Sequence, residues 1–133
     1  MKAALVDTDI LSMFLKGNKQ VKESFKTYLN SYNHINFSII TYYEILSGLK
    51  HKDAHKQISS FVEFAAINNI LPLTIQSSEN SAIIYADLRK KGTPVDDIDL
   101  LIAGIAIENN MMVITNNTSH FSRIEGLEVD NWS

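Results

Sequence analysis

Short apolar runs alternate along the chain with longer segments whose apolar residues recur at helical spacing. The first run covers residues 3–6 and ends in Asp-Thr-Asp, after which residues 10–15 continue at helical spacing. Residues 18–31 also place apolar side chains on one helical face. The chain is therefore predicted to begin with a strand and two helices.

The same alternation continues to the end of the chain. Further strands are predicted over residues 34–37, 70–73, 111–115 and 127–129. Further helices are predicted over residues 39–49, 52–68, 77–91 and 96–109. The first of these helices is predicted to end near Gly48, and the third near Gly92. Parallel strands need helical crossovers between them, so the pattern predicts a three-layer α/β/α fold. Its mostly parallel sheet has four or five strands, and sites in such sheets lie at the carboxyl ends of the strands.

The composition limits the classes of protein that fit. The 133 residues, 45% hydrophobic and 20% charged, indicate one domain over residues 1–133. The absence of Cys excludes disulfides, thiolate zinc sites and cysteine nucleophiles. A net charge of -3 excludes a strongly basic nucleic-acid-coating protein, although it allows a local basic patch. With no signal peptide and no apolar stretch near the ~20 residues of a membrane span, we expect a cytoplasmic protein without membrane contact.

Two acidic residues follow the first apolar run. Asp7 comes directly after it, so its side chain is expected to project into the crevice at the carboxyl end of the strand. A half-buried carboxylate needs a partner, which favours a functional role for Asp7. Asp9 belongs either to the same site or to the start of the next helix as its N-cap, and both interpretations stay open.

Glu44 lies in a predicted helix among small and apolar neighbours. The residues three and four positions away are Ile40, Thr41, Ser47 and Gly48. A solvated Glu usually shares its face with other long polar side chains, so Glu44 is predicted to point inward toward a positive group. An exposed helical face is the alternative.

Three acids begin the helix predicted over residues 96–109. Capping and the positive end of the helix dipole account better for Asp96 than for Asp99. The face of Asp99 continues through Ile102 and small apolar residues, where a lone ionised carboxylate costs on the order of several kcal/mol. A bound cation would remove that cost. Asp7, Glu44 and Asp99 are therefore predicted to form a carboxylate cluster for Mg²⁺ or Mn²⁺, ions that prefer oxygen ligands.

Four strings of this sequence resemble, in order, those of VapC-type PIN-domain toxins. They are Leu-Val-Asp-Thr-Asp-Ile-Leu, Ser-Ile-Ile-Thr-Tyr-Tyr-Glu-Ile, Lys-Gly-Thr-Pro-Val-Asp-Asp-Ile-Asp-Leu-Leu-Ile-Ala-Gly and Val-Ile-Thr-Asn-Asn-Thr-Ser-His-Phe-Ser-Arg-Ile-Glu-Gly-Leu. The resemblance covers essentially the whole chain. It implies a PIN-like fold and a Mg²⁺- or Mn²⁺-dependent endoribonuclease of a type II toxin–antitoxin module, with an acidic quartet at the carboxyl edge of the sheet.

The resemblance also assigns roles by position. It implies that Asp7, Glu44 and Asp99 are catalytic acids that hold the metal, and that Asp97 is a further metal-binding acid. Supporting roles fall to four other residues, namely Asp9, Ser38, Thr115 and Asn117.

The sequence departs from the family at the fourth acid. Relatives carry Asp or Glu at the position of Asn117 or of His120, and this chain has neither carboxylate. Asn117 would ligate through its carbonyl or order a water. His120 either binds a metal, in which case it suits Mn²⁺ better than Mg²⁺, or is an ordinary surface residue of a loop. Asp9 stands where the family has Asn, and we interpret it as a source of the lost negative charge.

The mechanism and the partners are expectations from the same resemblance. A metal-activated water would hydrolyse RNA in line and leave 5′-phosphate and 3′-hydroxyl ends. The implied partners are a cognate antitoxin that covers the acidic cleft and a second copy of the chain, and tRNA, initiator tRNA in particular, is favoured over rRNA. Basic residues that would contact RNA, or equally form a solvated surface, are Lys16, Lys19, Lys22, Lys50, Lys52, Lys56, Arg89, Lys90 and Lys91.

Three alternatives come from other classes. A haloacid-dehalogenase-type phosphatase would use Asp7 and Asp9, but it would give Glu44 no role. It also needs its second acidic pair after a strand, whereas Asp96 and Asp97 follow a predicted helix. A PIN-fold module that binds RNA or a partner, with weakened or lost catalysis, is favoured by the missing fourth acid. Metal-independent cleavage by histidines is disfavoured because no two of His34, His51, His55 and His120 share an inward setting.

Overall fold

Five short strands form one central sheet in the structure, a computed structural model that describes residues 2–133. They are β1 (Ala4–Val6), β2 (Asn36–Ser38), β3 (Asn69–Leu71), β4 (Met112–Ile114) and β5 (Val129–Asp130). Their spatial order is β3-β2-β1-β4-β5, and every neighbouring pair is parallel. The predicted α/β fold with a parallel sheet is confirmed.

Helices connect the strands and cover both faces of the sheet. They are α1 (Thr8–Leu15), α2 (Lys19–Leu29), α3 (Ile39–His51), α4 (His55–Ala66), α5 (Ile75–Lys90), α6 (Asp97–Glu108) and α7 (Thr118–Phe121). Successive side chains of a strand point to opposite faces. Ala4 and Val6 therefore join the core under α1 to α4, whereas Leu5 joins the core under α5 and α6. Within residues 2–133, none of the helices combines the length and the apolar character that a membrane span requires.

The strand order reverses at the boundary between β1 and β4. β2 and β3 extend the sheet on one side of β1, and β4 and β5 extend it on the other. In open parallel sheets the crevice at this reversal, outside the carboxyl ends of the strands, is where ligands bind. Asp7 follows β1 and Thr115 follows β4, so both residues lie at that crevice.

Several predicted helix boundaries differ from the structure, and two of the differences have a clear physical reason. α3 passes through Gly48 and ends at His51, because a glycine inside a helix costs only about 1 kcal/mol and does not stop it. α5 begins at Ile75 rather than at residue 77, because Thr74 and Ser77 cap the helix reciprocally. The Thr74 hydroxyl accepts from the Ser77 backbone N–H at 3.0 Å, and the Ser77 hydroxyl accepts from the Thr74 backbone N–H at 2.9 Å.

Close packing of α6 against α5 fixes the helix that carries Asp99. Gly104 of α6 lies so near α5 that a Cβ atom there would clash with Ser81 Oγ and with the Ser77 carbonyl oxygen. The Ser81 hydroxyl donates to the Leu100 carbonyl at 2.7 Å across the same contact. Only glycine allows the two helices to approach this closely.

Candidate active site

Asp7 is buried between the ends of β1 and β4, with 6% of its surface exposed. Its Oδ1 accepts a hydrogen bond of 2.8 Å from the Thr8 backbone N–H, and its Oδ2 accepts one of 2.8 Å from the Thr115 hydroxyl. Asp7 is the N-cap of α1, which begins at Thr8 and thus two residues before the predicted start. The N-cap interpretation of Asp9 is therefore wrong.

The charge on Asp7 is poorly compensated. Burial is the main cause that raises the pKa of Asp7 from its ordinary value of 3.8 to about 7, and the nearby charges of Asp9 and Asp99 also raise it. The hydrogen bonds from Thr115 and Thr8 act in the opposite direction. Among residues 2–133, neither Asp7 nor Asp9 forms an ion pair with a basic side chain.

Asp9 lies in the first turn of α1 and holds the loop that follows β4. Its Oδ1 accepts from the Ile10 backbone N–H at 2.7 Å, and its Oδ2 accepts from the Asn116 backbone N–H at 3.0 Å. The Thr115 hydroxyl lies 3.5 Å from the same Oδ2. Asp9 therefore stands beside Asp7 at the reversal of strand order.

Glu44 reaches the same region from α3 and is half-buried. Its Oε1 accepts a hydrogen bond of 2.6 Å from the Thr8 hydroxyl, whose oxygen lies 2.9 Å from Thr41 Oγ1. The partner that the protein itself supplies to Glu44 is thus a hydroxyl, and the positive group expected from the sequence stays a prediction. Ser38 is the N-cap of α3, where its Oγ accepts from the Thr41 backbone N–H at 3.1 Å.

The role of Thr8 was not predicted from the sequence. Its only signal is its place between Asp7 and Asp9, and a threonine at the start of a helix is ordinarily interpreted as a capping residue. Its contact with Glu44 depends on how α1 packs against α3, which the local sequence does not encode.

The three acids at the start of α6 have different surroundings. The Asp99 side chain is 17% exposed. Burial is the main cause that raises the pKa of Asp99, and the charges of Asp96 and Glu44 raise it further. The nearby His120 lowers the pKa of Asp99, but by less than these effects raise it. Asp96 occupies the N-cap position, but its side chain makes no capping hydrogen bond, so the capping interpretation is wrong for its carboxylate. Asp97 is exposed and is not among the residues that line the cleft described below, so its metal-binding role stays a prediction.

The loop and short helix after β4 carry the two residues at the positions of the fourth acid. His120 lies in α7, with Nδ1 3.5 Å from Asp99 Oδ2. Asn117 precedes α7 and makes no side-chain capping bond, while its backbone N–H donates to Thr115 Oγ1 at 2.9 Å. The sequence did not predict α7, which is a single turn.

A cleft of about 910 Å³ joins these groups and is called the acidic cleft below. Asp7, Asp9, Glu44, Asp99 and Asn117 line it together with the apolar residues Leu15, Ile45, Leu49 and Ile98. Of the basic residues considered for RNA contact, Lys16, Lys52 and Lys56 line the acidic cleft and the others do not. His34, His51 and His55 are exposed and lie outside it, so the structure brings no pair of histidines together there.

The oxygen-rich acidic cleft fits a hard divalent cation. The buried Asp7 carboxylate lacks a cationic partner among residues 2–133, and the charges of its acidic neighbours disfavour its ionised form. Within residues 2–133, no three His, Asp or Glu side chains stand close enough to one another to form a complete set of metal ligands. Mg²⁺ does not require one, because it commonly binds through one or two carboxylates and keeps several waters.

Comparisons with known proteins show the family to which the chain belongs. The sequence model of the PIN domain family matches residues 4–127. The chain is 31% identical over 130 residues to the tRNA(fMet)-specific endonuclease VapC of Salmonella typhimurium, covering 96% of each protein. It is 34% identical over 129 residues to Ribonuclease VapC of Rickettsia bellii, covering 94% of this chain and 92% of that protein.

A solved structure extends the likeness to three dimensions. The DNA-bound VapBC of Salmonella typhimurium contains a chain that superposes with a TM-score of 0.88 at 29% identity, covering 100% of both chains. The sequence match, the strand order and the overall superposition agree with the resemblance found in the sequence. The chain therefore belongs to the PIN domain family and, within it, to the VapC-type ribonuclease toxins.

Proposed function

We propose that the chain is a metal-dependent endoribonuclease toxin that hydrolyses phosphodiester bonds in tRNA. The observation that carries this proposal is the convergence of Asp7, Glu44 and Asp99 on one cleft without a Lys or Arg partner among residues 2–133. The preference for tRNA, with initiator tRNA as the first candidate, is supported by the name of the Salmonella relative. Such a substrate places the activity in the cytoplasm.

Asp7, Glu44 and Asp99 would hold Mg²⁺ or Mn²⁺, either directly or through waters that the ion keeps. The bound ion would supply an acidified water as the nucleophile and would neutralise charge on the phosphate. Around that position the protein fixes its own ligands, because the Thr8 N–H and the Thr115 hydroxyl each hold one oxygen of Asp7. Asp9 keeps the loop after β4 close to α1, and that loop presents Asn117 to the acidic cleft.

Three lysines would bind the substrate backbone. Lys16, Lys52 and Lys56 line the acidic cleft and form no ion pair among residues 2–133. Lysines at such positions attract phosphates and release counterions when RNA binds. Leu15 and Leu49 provide apolar surface in the same cleft for contact with bases.

The proposed protein partners are an antitoxin and a second copy of the chain. Solved VapBC complexes from Salmonella typhimurium and Haemophilus influenzae contain chains similar to this one, at 29% and 26% identity. An antitoxin segment would cover the acidic cleft, where it would exclude RNA and neutralise the carboxylates.

The central test is cleavage of a labelled total tRNA pool by the wild type and by Asp7→Asn. Each protein is assayed with Mg²⁺, Mn²⁺ or EDTA, and the product ends are mapped. We expect metal-dependent cuts with 5′-phosphate ends that disappear with Asp7→Asn and with EDTA. Glu63→Gln, which changes an exposed acid of α4, is the matched control and should cut like the wild type.

A PIN-fold binding module is the second candidate, because Asn117 and His120 replace the fourth acid. Binding of tRNA without cleavage in the presence of either ion would favour this candidate over the nuclease. Cleavage that persists in EDTA would contradict both.

A further inference from the structure

The Thr8 hydroxyl lies between Glu44 and a second hydroxyl. It donates to Glu44 Oε1 at 2.6 Å, and its oxygen is 2.9 Å from Thr41 Oγ1. The Ser38 hydroxyl is in turn 3.4 Å from Thr41 Oγ1. Ser38, Thr41 and Thr8 therefore form a row, called the hydroxyl chain below, that ends on Glu44.

The hydrogen bonds of the hydroxyl chain all run in one direction, from donor to acceptor toward Glu44. An ionised carboxylate only accepts hydrogen bonds, and each hydroxyl carries a single proton. Because Thr8 donates its proton to Glu44, its oxygen must accept from Thr41, and Thr41 must accept from Ser38. All three protons thus point toward Glu44, and hydrogen bonds aligned in this way polarise and strengthen one another.

The hydroxyl chain links the elements that carry two of the proposed metal ligands. Ser38 ends β2, Thr41 and Glu44 lie one turn apart on α3, and Thr8 begins α1 directly after Asp7. Ser38 and Thr41 are 0% exposed, so water cannot replace their hydroxyls. Thr8 and Glu44 both line the acidic cleft.

We propose that Thr8, supported by Thr41, is a positioning residue that holds the Glu44 carboxylate in the orientation needed for metal binding and cleavage. The inference rests on the proposed function, because that function assigns Glu44 to the metal site. Removing a hydrogen-bond partner of a metal-binding carboxylate typically lowers metal affinity or activity by about 10–100-fold.

The first experiment compares Thr8→Val, which lacks the hydroxyl at similar volume, with Thr8→Ser, which keeps it. Mn²⁺ affinity is measured by isothermal titration calorimetry, and tRNA cleavage is measured separately. Thr8→Val should weaken Mn²⁺ binding and lower kcat by about 10–100-fold, whereas Thr8→Ser should stay near the wild type. Thr27→Val removes an exposed hydroxyl from α2 and should change neither quantity.

The second experiment tests whether Thr8 acts through Glu44. In a double-mutant cycle with Glu44→Gln, adding Thr8→Val should cause little further loss of Mn²⁺ affinity. Thr41→Val, a buried change outside the acidic cleft, should show a smaller loss of the same kind and serves if Thr8→Val does not fold by circular dichroism.

Three results would overturn the inference while leaving the nuclease proposal intact. They are wild-type Mn²⁺ affinity and kcat in a folded Thr8→Val, a loss in Thr8→Ser as large as in Thr8→Val, and fully additive losses with Glu44→Gln. A wild-type protein that neither bound Mn²⁺ nor cut RNA would instead remove the proposed function, and the inference with it.

Discussion

The Thr115 hydroxyl donates a hydrogen bond of 2.8 Å to Asp7 Oδ2, joining residues 108 positions apart in the sequence. The same hydroxyl oxygen accepts from the Asn117 backbone N–H at 2.9 Å. One threonine thus fixes both the buried acid and the loop that presents Asn117 to the acidic cleft.

Thr115→Val should lower the cleavage rate by about 10–100-fold, because Asp7 loses one of its two donors. The backbone N–H of Asn117 also loses its acceptor, at a cost of about 1–3 kcal/mol to the free energy of unfolding. Thr115→Ser keeps the hydroxyl and should restore most of both quantities. Single-turnover kinetics and urea unfolding measure the two effects, and equal rates for Thr115→Val and the wild type would contradict the prediction.

Asp7 should make the metal-free protein less stable as the pH rises. The folded-state pKa is about 7 against an ordinary value of 3.8, so between these pH values the folded protein binds more protons than the unfolded chain. Stability therefore falls as the pH rises from about 4 to about 7, by on the order of 2–4 kcal/mol from this group. Thermal unfolding in EDTA across this range measures the effect.

Asp7→Asn removes the titrating group, so it should raise the free energy of unfolding at pH 7.5, by up to the same amount, and flatten the pH dependence. Glu63→Gln, at an exposed site, should keep the wild-type pH profile. A lower free energy of unfolding in Asp7→Asn at neutral pH would contradict the prediction. It would mean that the hydrogen bonds of the Asp7 carboxylate stabilise the fold by more than its burial destabilises it.

Two lysines of the acidic cleft should control RNA affinity. Lys52→Gln together with Lys56→Gln should weaken tRNA binding and lower the salt dependence of log K by about 1 per lysine, because each charge displaces counterions. Fluorescence anisotropy at several salt concentrations gives both quantities, with Asp7→Asn, which is expected to be inactive, as the background. The pair Lys19→Gln and Lys22→Gln, which lies outside the acidic cleft, is the control and should keep the wild-type slope.

Replacing two glycines by alanine should change the free energy of unfolding in opposite directions. Gly104→Ala would force a Cβ into Ser81 and the Ser77 carbonyl, so we expect a loss of about 1–3 kcal/mol in the free energy of unfolding. Gly48 lies inside α3, and a Cβ atom added there would meet nothing within 4 Å, so Gly48→Ala should gain up to about 1 kcal/mol. Urea unfolding distinguishes the two, and a neutral Gly104→Ala would show that α5 and α6 can separate at little cost.

The sequence predicted those features that depend on local pattern. The apolar run before Asp7 marked a strand that ends in an acid, and the alternation of strands and helices was enough for a parallel sheet. The contact between Thr8 and Glu44 joins residues 36 positions apart, so it depends on the packing of α1 against α3. The apolar face through Ile102 was enough to indicate that Asp99 points inward, and Asp99 does line the acidic cleft. The exposure of Asp97 depends on the orientation of α6 in the fold, which the resemblance by position did not reveal.

The strand order also governs when the site can exist during synthesis. β1 leaves the ribosome first, yet one of its two neighbours in the sheet is β4, and Thr115 follows β4. A nascent chain that ends before β4 therefore has Asp7 and Glu44 but lacks both the donor from Thr115 and the loop that carries Asn117. Truncated translation products of this kind should be inert toward RNA, so the proposed nuclease activity should arise only when nearly the whole chain has been made.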